Sequence, residues 1–246
     1  MLVHLPILQV IVPLMAAPAC LILGRPRLVW LFSLITSGIA FLISVSLLRQ
    51  VMSAGTISYV LGGWSAPWGI EYRIDELNAY LLLIISAIST VVLLAAQTSI
   101  KKEIPKDRHT LFYVLYLLSL AGMLGIVATG DAFNVFVFLE ISSLSAYSLI
   151  SLGKDRRSLW ASYQYLIMGT IGATFILIGI GLMYQMTGTL NMEDLAVRLP
   201  EVTHTRTVFV AFAFFTLMTI ASLTSSISML EVPVALVTEQ SGMARK

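Results

Sequence analysis

The chain has 246 residues, 58% of them hydrophobic and 11% charged, with a formal net charge of +2. Soluble domains carry about 25% charged residues, so a water-soluble fold of this size would lack the polar side chains to cover its outside. The single cysteine, Cys20, excludes an intrachain disulfide and a cysteine metal cluster.

The mean hydropathy is +0.90. The charges cluster between apolar runs of about 20 residues, the length that crosses a bilayer. Together these predict an all-α integral membrane protein of about seven transmembrane helices. The first is expected over 5–23, with Pro13 and Pro18 inside it. No Lys or Arg precedes Arg25, so this segment lacks the basic start of a signal peptide and reads as an uncleaved span. A second helix is expected over 28–48, followed by a polar stretch, 49–76, rich in turn residues. Trp64 and Trp68 in that stretch suit the headgroup level. Further helices are expected over 77–98, 111–128, 132–152 and 160–186, with a polar loop over 187–206. A last apolar segment starts near Thr207 and fades into Ser/Thr-rich sequence by about Ser228. These elements group as helices one to three with their loop (1–110), the start of a first helix repeat (111–216) and a divergent C-terminal segment (217–246).

Nine Lys and Arg residues fall in the loops after helices one, three and five, against four after helices two, four and six. The positive-inside rule makes the first set cytoplasmic, which puts the N-terminus outside; the membrane expected is the cell's inner (plasma) membrane. The basic loops then meet anionic lipid, not nucleic acid. His4, His109 and His204 have no metal-ligand spacing, and no nucleotide-binding fingerprint or nucleophile–base arrangement occurs.

Of thirteen Asp and Glu residues, only Glu140 falls near the middle of an apolar helix. A charge there costs about 3 kcal/mol or more, so such groups are rare and generally functional. Ser143, Tyr147 and Ser151 follow Glu140 at helical spacing on one face. Phe133 and Phe136 extend that face on the other side. Tyr163, Thr170 and Thr174 on helix six form a second hydroxyl stripe that could continue a polar path. Two readings of Glu140 stand at this level: a proton-transfer group, or a structural glutamate bonded to a neighbouring helix. The hydroxyls of helix six likewise read as a path or as interhelical hydrogen bonds.

The run Gly130-Asp-Ala-Phe-Asn-Val-Phe-Val-Phe-Leu-Glu140-Ile-Ser-Ser-Leu-Ser-Ala-Tyr147 resembles the fifth helix of the antiporter-like membrane subunits of complex I, related hydrogenases and Mrp-type Na+/H+ antiporters. The stretch from Gly62 to Asp75 resembles the loop before that family's third helix, and the stretch from Tyr184 to Leu195 the segment after its sixth. The likeness leans toward the D-type antiporter subunit and its complex I-like relatives. The resemblance implies a bundle of inverted five-helix repeats, each with a proton half-channel. In it the glutamate matched by Glu140 pairs with a lysine on a broken seventh helix. It also implies no redox cofactor, other membrane subunits as partners, and protons with Na+ as the candidate cargo. The chain would not be an enzyme by itself, but could be a subunit of a proton-translocating NADH:quinone oxidoreductase-like complex.

The sequence departs from that pattern after Thr216. The only Lys or Arg beyond Arg206 are Arg245 and Lys246, so the partner lysine is absent. Gln164 stands where many relatives carry a basic residue. The expectation is a truncated reading of a longer protein, with a genuine short paralogue as the alternative. In function, the alternative to a transporting subunit is a structural or assembly subunit, or a non-transporting fragment.

Overall fold

The computed structural model describes residues 2–154 and 156–216. Within them lie six helices long and apolar enough to cross a membrane: α1 (Leu5–Leu23), α2 (Pro26–Ala54), α3 (Glu76–Glu103), α4 (His109–Ala128), α5 (Ala132–Ser151) and α6 (Arg156–Thr187). Two shorter helices follow, α7 (Met192–Val202) and α8 (Arg206–Thr216). The seventh expected span begins as α8. Its continuation, and the expected divergent segment 217–246, lie outside the described residues.

Three expectations need correction. The stretch 49–76 is not all turn. Helix α2 runs on through Arg49 and Gln50 to Ala54 and stops at Gly55, whose φ of 83° suits glycine. Two four-residue strands then pair antiparallel, β1 (Ile57–Val60) with β2 (Glu71–Ile74), in the register Ile57 to Ile74 and Val60 to Glu71. The glycines and prolines of the stretch form the connection between the strands. The polar loop 187–206 contains α7, because Leu195, Leu199 and Val202 recur at helical spacing and pack against Met183, Val208 and Ala211.

Helix α4 is the centre of the bundle and packs against α1, α2, α3 and α5. Half of its span is buried, against 11% of α5's. Gly122 and Gly125 let α5 approach α4 closely. A methyl group on Gly122 would lie 2.7 Å from the Ser142 backbone nitrogen and 2.8 Å from the Phe138 carbonyl oxygen, and one on Gly125 would enter the Phe138 ring. Between hydrocarbon-facing helices, such packing replaces the hydrophobic drive that water would supply.

The block α1–α4 is also laced by buried hydroxyls. Gln9 Nε2 donates to Ser44 Oγ (2.7 Å), and Ser86 Oγ donates to Ser44 Oγ (3.0 Å). Ser37 Oγ meets Thr90 Oγ1 (3.0 Å) and donates to Ser89 Oγ (3.1 Å), and the Tyr116 hydroxyl donates to the Ser89 carbonyl (3.0 Å). No water is available in hydrocarbon to satisfy these donors, so they pair with one another, while Gln9 Oε1 is left without a partner.

Connections alternate between two ends. The start of α1 meets the β1–β2 hairpin through His4 Nδ1 and the Tyr59 hydroxyl, 2.9 Å apart. The α4–α5 and α6–α7 turns lie at the same end: the bridge Tyr72 to Thr129 joins the first to β2, and the bridge Asp131 to Asn191 joins the two turns. The loops carrying Arg25, Arg27, Lys106 and Arg108 lie at the other.

Gly122→Ala should force α4 and α5 apart, because the atoms met are backbone. A cost of about 1–3 kcal/mol should appear as a lower Tm in detergent. Gly38→Ala, where nothing lies within 4 Å of the added carbon, should leave Tm unchanged or raise it.

Candidate functional site

Helix α5 starts where Asp131 caps it, its Oδ1 accepting from the Asn134 backbone N–H at 2.7 Å. Asn134 Nδ2 also donates to Thr129 Oγ1 (3.0 Å), so the first turn is tied to the end of α4. Phe138, Ser142 and Ser145 face α4, since Phe138 and Ser142 meet its glycines and Ser145 is buried. At 100° per residue, Glu140 lies two residues and about 200° from Phe138, on the side turned away from α4. It is the ninth of the helix's twenty residues, close to mid-span.

Glu140 is half-buried rather than enclosed. Helix α6 covers only part of this side of α5, and the rest is an open flank. Among the described residues its carboxylate has no hydrogen bond and no ion pair. Phe133 and Phe136 continue the same face, their ring centroids 5.9 Å apart.

The other predicted residues divide. Tyr147 bridges the two helices: its hydroxyl packs against Gly169 of α6, and its carbonyl accepts from Ser162 Oγ at 2.7 Å. Ser143 is half-buried on the Glu140 face. Ser151 Oγ donates within its own helix, to the Ser148 carbonyl at 2.7 Å. On α6, Thr170 and Thr174 bond back to Leu166 and Thr170 carbonyls at 2.9 and 2.8 Å. Tyr163 is 53% exposed, packed beside the Trp160 ring. All three are exposed. Of the hydroxyls named from the sequence, only Tyr147 joins α5 to α6.

A second constellation, at the N-terminal end of α5, draws the three family-like stretches into one knot. Glu71 of β2 is buried, with Oε1 accepting from Ser58 Oγ (2.6 Å) and Oε2 from Asn191 Nδ2 (3.1 Å). The Gly130 N–H donates to the Glu71 carbonyl (2.8 Å), and the Met192 N–H to the Gly130 carbonyl (2.9 Å). Asn191 also caps α7 through the Glu193 and Asp194 N–H groups, both at 3.1 Å. Arg73 pairs with Glu193 at the rim. A cavity of about 200 Å³ opens among Glu71, Asn78, Thr129 and Asn191. Tyr72 turns the other way and sets its ring edge against Phe138, centroids 6.4 Å apart; burial pushes its phenol up to about 12. The knot thus fixes the end of α5 and the side of it that meets α4.

Read from the sequence alone, Glu71 and Asp131 are loop acids, and Thr129 and Asn191 have no role. Two signals could have found them. The spacings Asp131 to Asn134 and Asn191 to Asp194 are those of helix caps, and the run Glu71-Tyr-Arg-Ile74 alternates polar and hydrophobic side chains.

Burial raises the Asp131 carboxyl above its usual 3.8, against the opposing pull of the N–H groups of Asn134 and Phe133. The folded state therefore holds this proton more tightly than the unfolded chain. Stability falls as pH rises from about 3.8 through the raised folded value, then levels off. Asparagine caps a helix as well as aspartate, so Asp131→Asn should keep the fold while removing this contribution to the slope of Tm against pH. Asn191→Ala should cost about 2 kcal/mol, from the lost α7 cap and a buried carboxylate short of one donor, measured as a drop in Tm.

Residues 129–236 match the model of the NADH:quinone oxidoreductase/Mrp antiporter transmembrane family. The chain is 42% identical over 217 residues to an NADH-quinone oxidoreductase N-type subunit of Desulforudis audaxviator, covering 87% of this chain and 43% of that protein. It is 34% identical over 196 residues to the D-type subunit of a Na(+)/H(+) antiporter from Bacillus subtilis, covering 79% and 39%. A chain in the structure of the membrane-bound sulfane sulfur reductase, an archaeal respiratory membrane complex, superposes with a TM-score of 0.80 at 34% identity, over 86% of this chain and 43% of that one. A chain of the Mrp complex from a Dietzia species shares the fold, with a TM-score of 0.73 at 23% identity over 88% and 40%. The chain spans about two fifths of the length of these relatives. By family model, by sequence and by fold, it belongs to the antiporter-like membrane subunits of the NADH:quinone oxidoreductase and Mrp antiporter family.

Proposed function

We propose that the chain serves in a proton- or cation-translocating membrane complex as an antiporter-like subunit, with Glu140 taking up and releasing the transported proton. The observation that carries this reading is the placement of Glu140. It sits mid-span on α5, on the face that packing against α4 leaves clear, with no partner among the described residues. An ionised carboxylate at that depth costs about 3 kcal/mol or more. It is tolerated when a proton or a counter-charge neutralises it, and exchange between the two moves a proton. No Lys or Arg lies mid-span in α1–α6, so the counter-charge comes from outside these six helices.

Tyr147 is the group placed to connect Glu140 to α6. The hydroxyls of Thr170 and Thr174 already donate to their own helix, which leaves their lone pairs to accept a further hydrogen bond. Nine of the loop cations lie at the end opposite the hairpin, which supports a cytoplasmic basic end and an external knot, in the plasma membrane. Partner membrane subunits fit the setting of the relatives, which come from the Mrp and sulfane sulfur reductase complexes.

In the intact complex reconstituted in vesicles, Glu140→Gln should reduce pH-gradient formation to background while leaving assembly intact. Wild-type gradients in that variant would contradict the proton-carrier role. Tyr147→Phe should give a partial loss, since it removes one hydrogen-bonding group and keeps the ring against Gly169.

A further inference from the structure

A crevice at the basic end, far from Glu140, lies where the start of α2, the end of α3 and the start of α4 meet. Arg27, Trp30, Gln97, Lys101, His109 and Tyr113 line it. Arg27 and Lys101 are exposed cations with no ion pair among the described residues; the two ion pairs found there are Arg73–Glu193 and Arg198–Asp194. Tyr113 is 3% exposed, and its hydroxyl meets no hydrogen-bond partner among the described residues. Tyr113 lines the crevice, so this hydroxyl is free to donate to a ligand seated there. Buried His109 spends one ring nitrogen on the Ile104 carbonyl, where Nε2 is the donor at 3.1 Å. Neither α2 nor α4 has a side-chain cap at its N-terminus, so both helices present positive dipole ends at this level. Trp30 closes the floor by donating to the Leu93 carbonyl at 2.9 Å.

All these groups favour an anionic acceptor, and the shape says which kind. The crevice offers about 30 Å³, room for one or two water-sized groups and so for a phosphate oxygen. One turn along α2 from Arg27 and two turns along α3 from Lys101, Leu31 and Leu94 are exposed on the same helix faces. A ligand seated here meets cations at its head and hydrocarbon-facing leucines along its body. The geometry points to a binding site for the phosphate of an anionic phospholipid, with Arg27 and Lys101 supplying charge and the Tyr113 hydroxyl donating to a phosphate oxygen.

The test is lipid retention by the purified full chain, read by native mass spectrometry after equilibration with phosphatidylglycerol or phosphatidylcholine. The wild type should retain phosphatidylglycerol selectively. Arg27→Gln with Lys101→Gln should weaken retention about thirtyfold, the effect of two near-surface cations. Arg156→Gln with Arg157→Gln removes the same charge from the start of α6 and should leave retention unchanged. Tyr113→Phe guards against misfolding: it should leave the lipid-free Tm unchanged and weaken retention about fivefold, one hydrogen bond's worth. Equal losses in the two double variants, or full retention in Tyr113→Phe, would overturn the site. Inorganic phosphate raising the Tm of lipid-free protein as much as phosphatidylglycerol does would overturn the lipid in favour of the free ion.

Discussion

The close approach of α4 and α5 at Gly122 and Gly125 decides how the rest of the structure can work. With no side chain at either glycine, Phe138 and Ser142 pack directly on the α4 backbone. A helix has one azimuth to give to such a contact, and α5 gives the side centred on Phe138. Glu140, two residues on, is thereby turned to the far side, together with Ser143, Tyr147 and Ser151. The carboxylate owes its availability to two glycines on a different helix.

The knot of β2, the α4–α5 turn and the α6–α7 turn holds this arrangement at one end. Its buried hydrogen bonds are worth about 1 kcal/mol each, more than the exposed Arg73–Glu193 pair beside them, which contributes about 0–1 kcal/mol. Through Tyr72 against Phe138, the knot reaches the α4–α5 contact itself. A proton-handling group needs a fixed azimuth and depth. The glycines set the azimuth of Glu140, and the capped, bridged turn at Asp131 sets its depth.

The spans were legible because a bilayer forces runs of about 20 apolar residues, which α1, α4 and α5 show almost to the residue. The position of Glu140 was legible for the same reason. Helix α7 was not, because Glu193, Asp194, Arg198 and Glu201 dilute its apolar stripe into what reads as a polar loop. Nor was the knot: Glu71, Asp131 and Asn191 are far apart in the chain, and a linear count assigns each acid to a loop. The hydroxyl stripes show a third limit. Periodicity gives the face a side chain occupies on its own helix, but not the neighbour that face meets. So Tyr147 and Thr170 look alike in sequence, while the fold sets one against Gly169 and leaves the other exposed. The unpaired Tyr113 hydroxyl and the cation-lined crevice beside it arise from three helix ends meeting, which no single segment reveals.

The central claim is that Glu140 changes protonation state as the complex works. Infrared difference spectroscopy of the intact complex, with glutamate isotopically labelled, tests it most directly. The account predicts a protonated-carboxyl band that appears and disappears as the proton gradient is built and collapsed, and that is absent in Glu140→Gln. A band that persists in that variant, or a Glu140 carboxyl that never changes, would contradict it.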